Sequence, residues 1–373
     1  MKKTTLLTLL LAVFPSLFFA QSSGRHGNLT YTFGYNEVPD NCNLPLIGIV
    51  NVAHGNQKSF HIGMVNTTEG NMGGAQIGFI NTVGDGMDGI QIAFVNTTGD
   101  NQLGFQCGFI NTIGDAFTGI QTGFINTVGD NASGVQVGFI NTLGDNANGV
   151  QVGFINAIGD RMRGSQIGFI NAVGDKVQGA QIGFVNGVER LDGFQVGFIN
   201  GTRVLNGLQV GFVNSVDRVE HGVPIGFLSF VHHGGYQAFE FSFNEMYPYN
   251  ASYKIGIDKF YTFPMVSYNP NRIDPWAIGF GAGSVIPMNE EVFFNPELMS
   301  QTVVSSNFQE ITSLGLQFGH AFTENVDFLA GPSLVWSRTT TTDPMFSLHN
   351  WDLGGSNRLN VGFRLALRYR FQN

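Results

Sequence analysis

Gly134-Val135-Gln136-Val137-Gly138-Phe139-Ile140-Asn141-Thr142-Leu143-Gly144-Asp145 is followed, fifteen residues on, by Gly149-Val150-Gln151-Val152-Gly153-Phe154-Ile155-Asn156-Ala157-Ile158-Gly159-Asp160. The same frame runs outward in both directions. Its Gln stands at Gln76, Gln91, Gln106, Gln121, Gln136, Gln151, Gln166 and Gln181, and again at Gln195 and Gln209 after two fourteen-residue units. Leu46 and His61 hold that slot upstream, and Pro224 holds it downstream. A strict short period lets equivalent residues stack on one another, which is the mark of a solenoid.

Within a unit, counted from Gln as zero, apolar residues and Asn fall at −1, +1, +3, +5 and +7, and Gln, Gly, Ile/Val and Thr fall at the even positions. Alternation of period two means strand. The Gly-Asp pair then breaks the run, and an apolar residue at +11 (Met87, Phe117, Met162, Val177) opens a second short strand. Two architectures could use such units: a parallel solenoid, or an antiparallel meander closed into one large barrel. A meander repeats as strand pairs, and these units show no odd-even alternation. The expected fold is all-β, with a parallel β-solenoid of about 12–13 coils over residues 40–232.

Each column then has an expected task. The Phe column (Phe79, Phe94, Phe109, Phe124, Phe139, Phe154, Phe169, Phe184) is expected to fill the interior. Asn81, Asn96, Asn111, Asn126, Asn141, Asn156 and Asn171 are expected to form an amide ladder, as stacked Asn residues do in other stacked-strand structures. The Gln column (Gln76, Gln91, Gln106, Gln121, Gln136, Gln151) shares the even face with Ile80, Val95, Ile110, Ile125, Ile140 and Ile155. If the strand is regular, these two columns face outward and form a flat stripe suited to binding. A bend near Asn would instead turn the Ile/Val column inward. Both readings stand at this stage. The Gly-Asp pairs read as turns. One carboxylate per coil is too few for a calcium ladder, so no metal is expected.

Beyond about Gly235 the period stops. Leu359, Val361, Phe363, Leu365, Leu367, Tyr369 and Phe371 alternate with Asn360, Gly362, Arg364, Ala366, Arg368 and Arg370. One apolar face and one basic face describe a strand with lipid outside and a polar interior. Similar alternation marks strands at about 27–36, 235–246, 251–262, 275–287, 290–303, 308–322 and 326–340. Together these make an antiparallel transmembrane β-barrel of about eight strands, with 27–36 as its first strand and 235–373 as the rest. Glu240, Lys254, Asp258, Arg364 and Arg368 are expected to form a charged network inside it, where side chains fill so narrow a barrel. With a strand at 27–36, parity makes the repeat segment an outer loop on the cell surface.

Met1-Lys2-Lys3 and the apolar run from Leu6 to Phe19 read as a secretory signal peptide over residues 1–20. The net charge of −9 provides no basic patch, so nucleic acid is not expected as a partner. Cys42 and Cys107 make no disulfide framework. The histidines have no metal-ligand spacing beyond the weak pair His232-His233, and Gly279-x-Gly281-x-Gly283 lies within a strand. No catalytic residue, cofactor or metal is expected.

The repeat Gln-x-Gly-Phe-Ile-Asn, as in Gln136 to Asn141 and Gln151 to Asn156, resembles the bacterial surface-repeat proteins of Gram-negative outer membranes. The ending Leu365 to Phe371 looks like the terminal signal of outer-membrane barrels, although Gln372 and Asn373 follow the aromatic residue. The expectation is a non-catalytic protein anchored among outer-membrane lipid, displaying the repeats for adhesion or ligand binding to an unknown extracellular partner. The competing expectations are a transport protein with the repeats as cap or plug, and a purely structural surface protein.

Overall fold

The computed structural model describes residues 30–39, 41, 43–305, 309–338, 348–355 and 357–371. The leader expected over 1–20, and Cys42, lie outside them. The protein is all-β: a parallel β-solenoid of about eleven turns and a closed eight-stranded antiparallel β-barrel. The chain divides into two compact units, one up to Ile113 and one from Gly114 onward.

Each solenoid coil carries two strands. In the first unit, Met72–Ile77 and Ile80–Val83 make one coil, and Met87–Ile92 and Val95–Thr98 the next. Neighbouring coils pair in parallel with like residues in register, Gln76 opposite Gln91 and Asn81 opposite Asn96. In the second unit the pairing continues, with Gln136 opposite Gln151 and Asn141 opposite Asn156. A parallel ladder of identical units puts each side chain over its own copy, which explains why the period tolerates so little change.

Glycine at −2 makes this spacing possible. Gly149 has φ +146°, and a Cβ there would lie 1.9 Å from the carbonyl oxygen of Gly134, the same residue one coil earlier. No side chain fits such an approach, so the coil bends toward its neighbour only where Cβ is missing.

The first expected barrel strand is corrected. Tyr35–Val38 pairs in parallel with Val50–Ala53, placing Asn36 opposite Asn51. This strand belongs to the solenoid, where Asn36 joins the amide column by donating to Asn51 Oδ1 at 2.7 Å. The barrel consists instead of Tyr236–Phe243, Tyr249–Ile257, Phe260–Tyr268, Trp276–Gly283, Val292–Val303, Glu310–Ala321, Val326–Arg338 and Asn357–Arg370. The stretch expected as one strand over 251–262 turns back at Asp258-Lys259, so it supplies parts of two staves. The first stave closes on the eighth, Phe239 opposite Tyr369.

The first stave starts and the eighth stave stops at the same end of the barrel, since Ala238 pairs with Arg370. That end also carries the turn at 258–259 and the connections 284–291 and 322–325. The opposite end carries 244–248 and 269–275, together with the strand ends Val303, Glu310, Arg338 and Asn357; six residues of sequence separate the first two of these strand ends and eighteen the last two.

Candidate functional site

The solenoid interior is lined by amides. Asn126 donates from Nδ2 to Asn141 Oδ1 at 2.8 Å, Asn141 to Asn156 at 2.9 Å, and Asn156 to Asn171 at 2.9 Å. Asn81 and Asn96 are joined in the same sense at 3.0 Å, and Asn96 and Asn111 at 2.9 Å. Each Asn of this column is buried. The second Nδ2 hydrogen commonly goes to a backbone carbonyl, such as Asn141 to Val152 O at 2.9 Å. The expected Asn ladder is therefore present.

The Gln column forms a second ladder rather than an outward stripe. Gln136 donates to Gln121 at 2.8 Å, Gln151 to Gln136 at 2.7 Å, and Gln91 to Gln76 at 3.0 Å. Gln76, Gln91, Gln106, Gln121, Gln136 and Gln151 are all buried, so their amides cannot meet a ligand. The two ladders run in opposite senses: Asn donates toward the carboxy-terminal coil and Gln toward the amino-terminal one. His61 holds the Gln slot one coil before Gln76, where the Gln ladder ends, and Leu46 holds the slot before that. His61 is fully buried, and neither ring nitrogen has a hydrogen-bond partner. Burial pushes its pKa down to about 4.

The Phe column is a second correction. Phe139, Phe154 and Phe169 are each about two-fifths exposed, on the outside of the bend that follows Gly at +2. The rings stack flat, 4.9 Å between Phe139 and Phe154 and 4.8 Å between Phe154 and Phe169. The Gly-Phe bend reverses the alternation, which puts Gln at 0 and Asn at +5 on the same inner side. Ile80, Val95, Ile110, Ile125, Ile140 and Ile155 are half-buried on the outer face beside the rings. That column faces outward through the Gly-Phe bend, and not along a regular strand shared with an outward Gln column.

Charges gather on the other edge. Asp145 and Asp160 occupy the Gly-Asp corners, Asp145 half-buried and Asp160 exposed. Lys176 meets Asp192 at 2.5 Å, and Arg190 meets Glu220 at 2.9 Å. In the first unit His54 bridges Glu37 at 2.8 Å and Glu69 at 3.2 Å. The hydrogen bond to Glu37 raises the pKa of His54. Among the described residues no three His, Cys, Asp or Glu side chains are placed to hold a metal.

The barrel interior is filled by an ion network. Arg364 donates to Glu240 and to Glu297, both at 2.7 Å. Arg368 reaches Glu240 at 2.8 Å and Glu297 at 3.2 Å. Lys254 pairs with Glu297 and lies 3.4 Å from Glu240. Tyr261 adds a hydroxyl donor to Glu297 at 2.6 Å. All six residues are buried. Of the expected network, Glu240, Lys254, Arg364 and Arg368 come together. Asp258 does not, because it stands on the exposed turn. Glu297 was missed, although Asn295, Glu297 and Gln301 alternate with Phe294, Leu298 and Ser300 and so point inward. The cavity beside Glu245, Met299 and Arg364 measures about 10 Å³, room for one water at most.

Outside, the staves present an apolar belt of exposed Phe241, Ile278, Leu298, Phe318 and Leu367. Tyr249, Tyr268, Trp276 and Trp336 ring its long-loop end, and Tyr369 and Phe371 its other end. No protein-family model matches the chain, and no curated protein is similar to it.

Proposed function

We propose that the protein is a non-catalytic outer-membrane protein, in which the barrel is a closed anchor and the solenoid a platform for binding a partner. One observation carries this reading: the barrel is apolar outside, with an aromatic band at each end, and is sealed inside by buried charge. An apolar belt of this kind facing water would be a liability, whereas facing hydrocarbon it is the feature that holds a barrel in place. The sealed interior argues against transport through the barrel.

The closed topology changes the expected orientation. Surface display rested on a stave at 27–36, and that segment lies in the solenoid. With eight staves counted from Tyr236, the solenoid joins the barrel at the end that bears the tight 258–259 turn. Outer-membrane barrels keep short turns on the periplasmic side and longer loops outside. The solenoid therefore stands in the periplasm, and its partner is a periplasmic one.

Protease added to intact cells, and to cells with a permeabilised outer membrane, tests the orientation. Residues 114–233 should be cleaved only after permeabilisation; cleavage on intact cells would restore surface display. Planar bilayers containing the full protein should show no conductance, and steady channels would overturn the anchor reading.

A further inference from the structure

The Phe edge of the second unit does not stop at the last coil. Phe212 stacks on Phe227 at 4.9 Å, and Phe227 stacks on Phe280 at 4.5 Å with planes 13° apart. Phe280 is a barrel residue on the outward side of the fourth stave. Beside it, Thr262 faces outward by alternation yet is buried, and it donates to Phe227 O at 2.9 Å. Ile255 and Ile257, also outward by alternation, are buried too. The last coil thus covers the outer wall of the second to fourth staves at the turn end, and the column of rings runs onto that wall.

Height along the barrel then decides what the two edges of the solenoid face. Phe280 pairs with Pro264, near the middle of these short staves. The charged edge of the last coil ends at His233 and passes directly into Tyr236, at the turn end. The Phe edge therefore lies toward the barrel's apolar belt and the charged edge away from it. Above Phe280 the wall still exposes Ile278, Trp276 and Val266.

Composition agrees with this placement. From Ile120 to Leu228 the columns at −1, +1, +3 and +4 contain no charged residue, no Tyr and no Trp; Thr122 and Ser165 are the only polar side chains there. Protein-binding surfaces are enriched in Tyr, Trp and Arg, so an edge of Phe, Ile and Val without them suits hydrocarbon better.

We infer that the Phe edge of the solenoid over residues 114–233 is a lipid-contacting surface, continuous with the barrel belt and laid on the same leaflet. The inference rests on the membrane reading of the barrel. An amphipathic element of this kind buries its apolar face at the boundary between headgroups and acyl chains. The solenoid is then held along the membrane by its edge as well as by its attachment to the barrel.

Site-directed spin labelling of the full chain in phospholipid vesicles tests it, after Cys42→Ser and Cys107→Val remove the native thiols. Labels are placed singly by Phe154→Cys and Ile167→Cys on the Phe edge, Asp160→Cys on the charged edge and Trp276→Cys on the barrel. Ile167→Cys leaves every ring in place, so it reports even if Phe154→Cys disturbs the stack. The expected oxygen-to-nickel accessibility ratio at 154 and 167 matches that at 276 and exceeds that at 160 by about fivefold or more. A lipid signal at 276 with an aqueous signal at 154 and 167 would overturn the inference and leave the barrel reading standing. Labels at 154 and 167 shielded from both reagents would mean a protein cover, by a second copy or a partner, and would also overturn it. An aqueous signal at 276 would overturn both.

Discussion

The solenoid and the barrel bury polar side chains in opposite ways. In the solenoid each buried amide is satisfied by the same residue one coil away. In the barrel two carboxylates are satisfied by three cations drawn from different staves, Lys254, Arg364 and Arg368. An amide is both donor and acceptor, so it can pair with its own copy. A charge cannot, because like charges stacked 4.8 Å apart repel. The repeating region therefore needs one neutral residue type, and the non-repeating region needs complementary ones. The solenoid places its charges on the outer corner, where water screens them.

The largest effect is expected where that complementarity is removed. Glu297→Gln leaves three buried cations with one carboxylate, and should destabilise the barrel by about 3–5 kcal/mol. Urea unfolding in detergent would measure it, and an unchanged midpoint would mean that the network contributes nothing. The next test acts on coil spacing. Gly149→Ala forces a Cβ against the Gly134 carbonyl and should cost about 1–3 kcal/mol or more, visible as lost hydrogen-exchange protection in coils 134–164. Gly187→Ala meets nothing within 4 Å and should change protection little. Equal responses would show that close approach does not set the coil.

Amide pairing is probed at Asn156, which is bonded to both neighbours. Asn156→Leu should cost about 1–3 kcal/mol, because Asn141 and Asn171 each lose a buried partner. Loss at Asn214, whose ladder bond goes to Ser229 at 3.2 Å, should be smaller. The smallest effect at neutral pH belongs to His61. Its pKa in the folded protein is about 4, below the ordinary His value near 6.5, so the unfolded chain takes up the proton first. The stability that the neutral ring supports is complete above about pH 6.5, and is lost as pH falls toward 4. The loss between pH 6.5 and 5.5 should be roughly 1 kcal/mol. Exchange protection of coils 46–91 should follow that profile, and His61→Gln should flatten it by removing the titratable ring and extending the ladder by one amide. A flat wild-type profile would contradict the burial.

The period could be read directly from the residues. A fifteen-residue repeat with no odd-even alternation favours parallel coils over a meander, and Asn in every coil then favours a ladder. The alternation of an apolar outer face with an inner one from Leu359 to Tyr369 was equally legible, as was the inward placement of Arg364 and Arg368. The side of the coil on which Gln and Phe lie was not. Alternation counts residues along a straight strand, and the bend at Gly-Phe reverses the faces within one unit. Gln136 and Asn141, five apart and of opposite parity, end up in one interior, while Phe139 is left outside.

What the sequence determined by itself is therefore the set of stacked columns and the two kinds of sheet, because both follow from spacing alone. Only the tertiary structure decided which columns face inward, which staves close the barrel and which end bears the solenoid. Those depend on where the backbone bends and on which distant strands meet. Tyr35–Val38 shows this best: its alternation suits a barrel stave, but its backbone pairs with Val50–Ala53, and that pairing moves it into the solenoid.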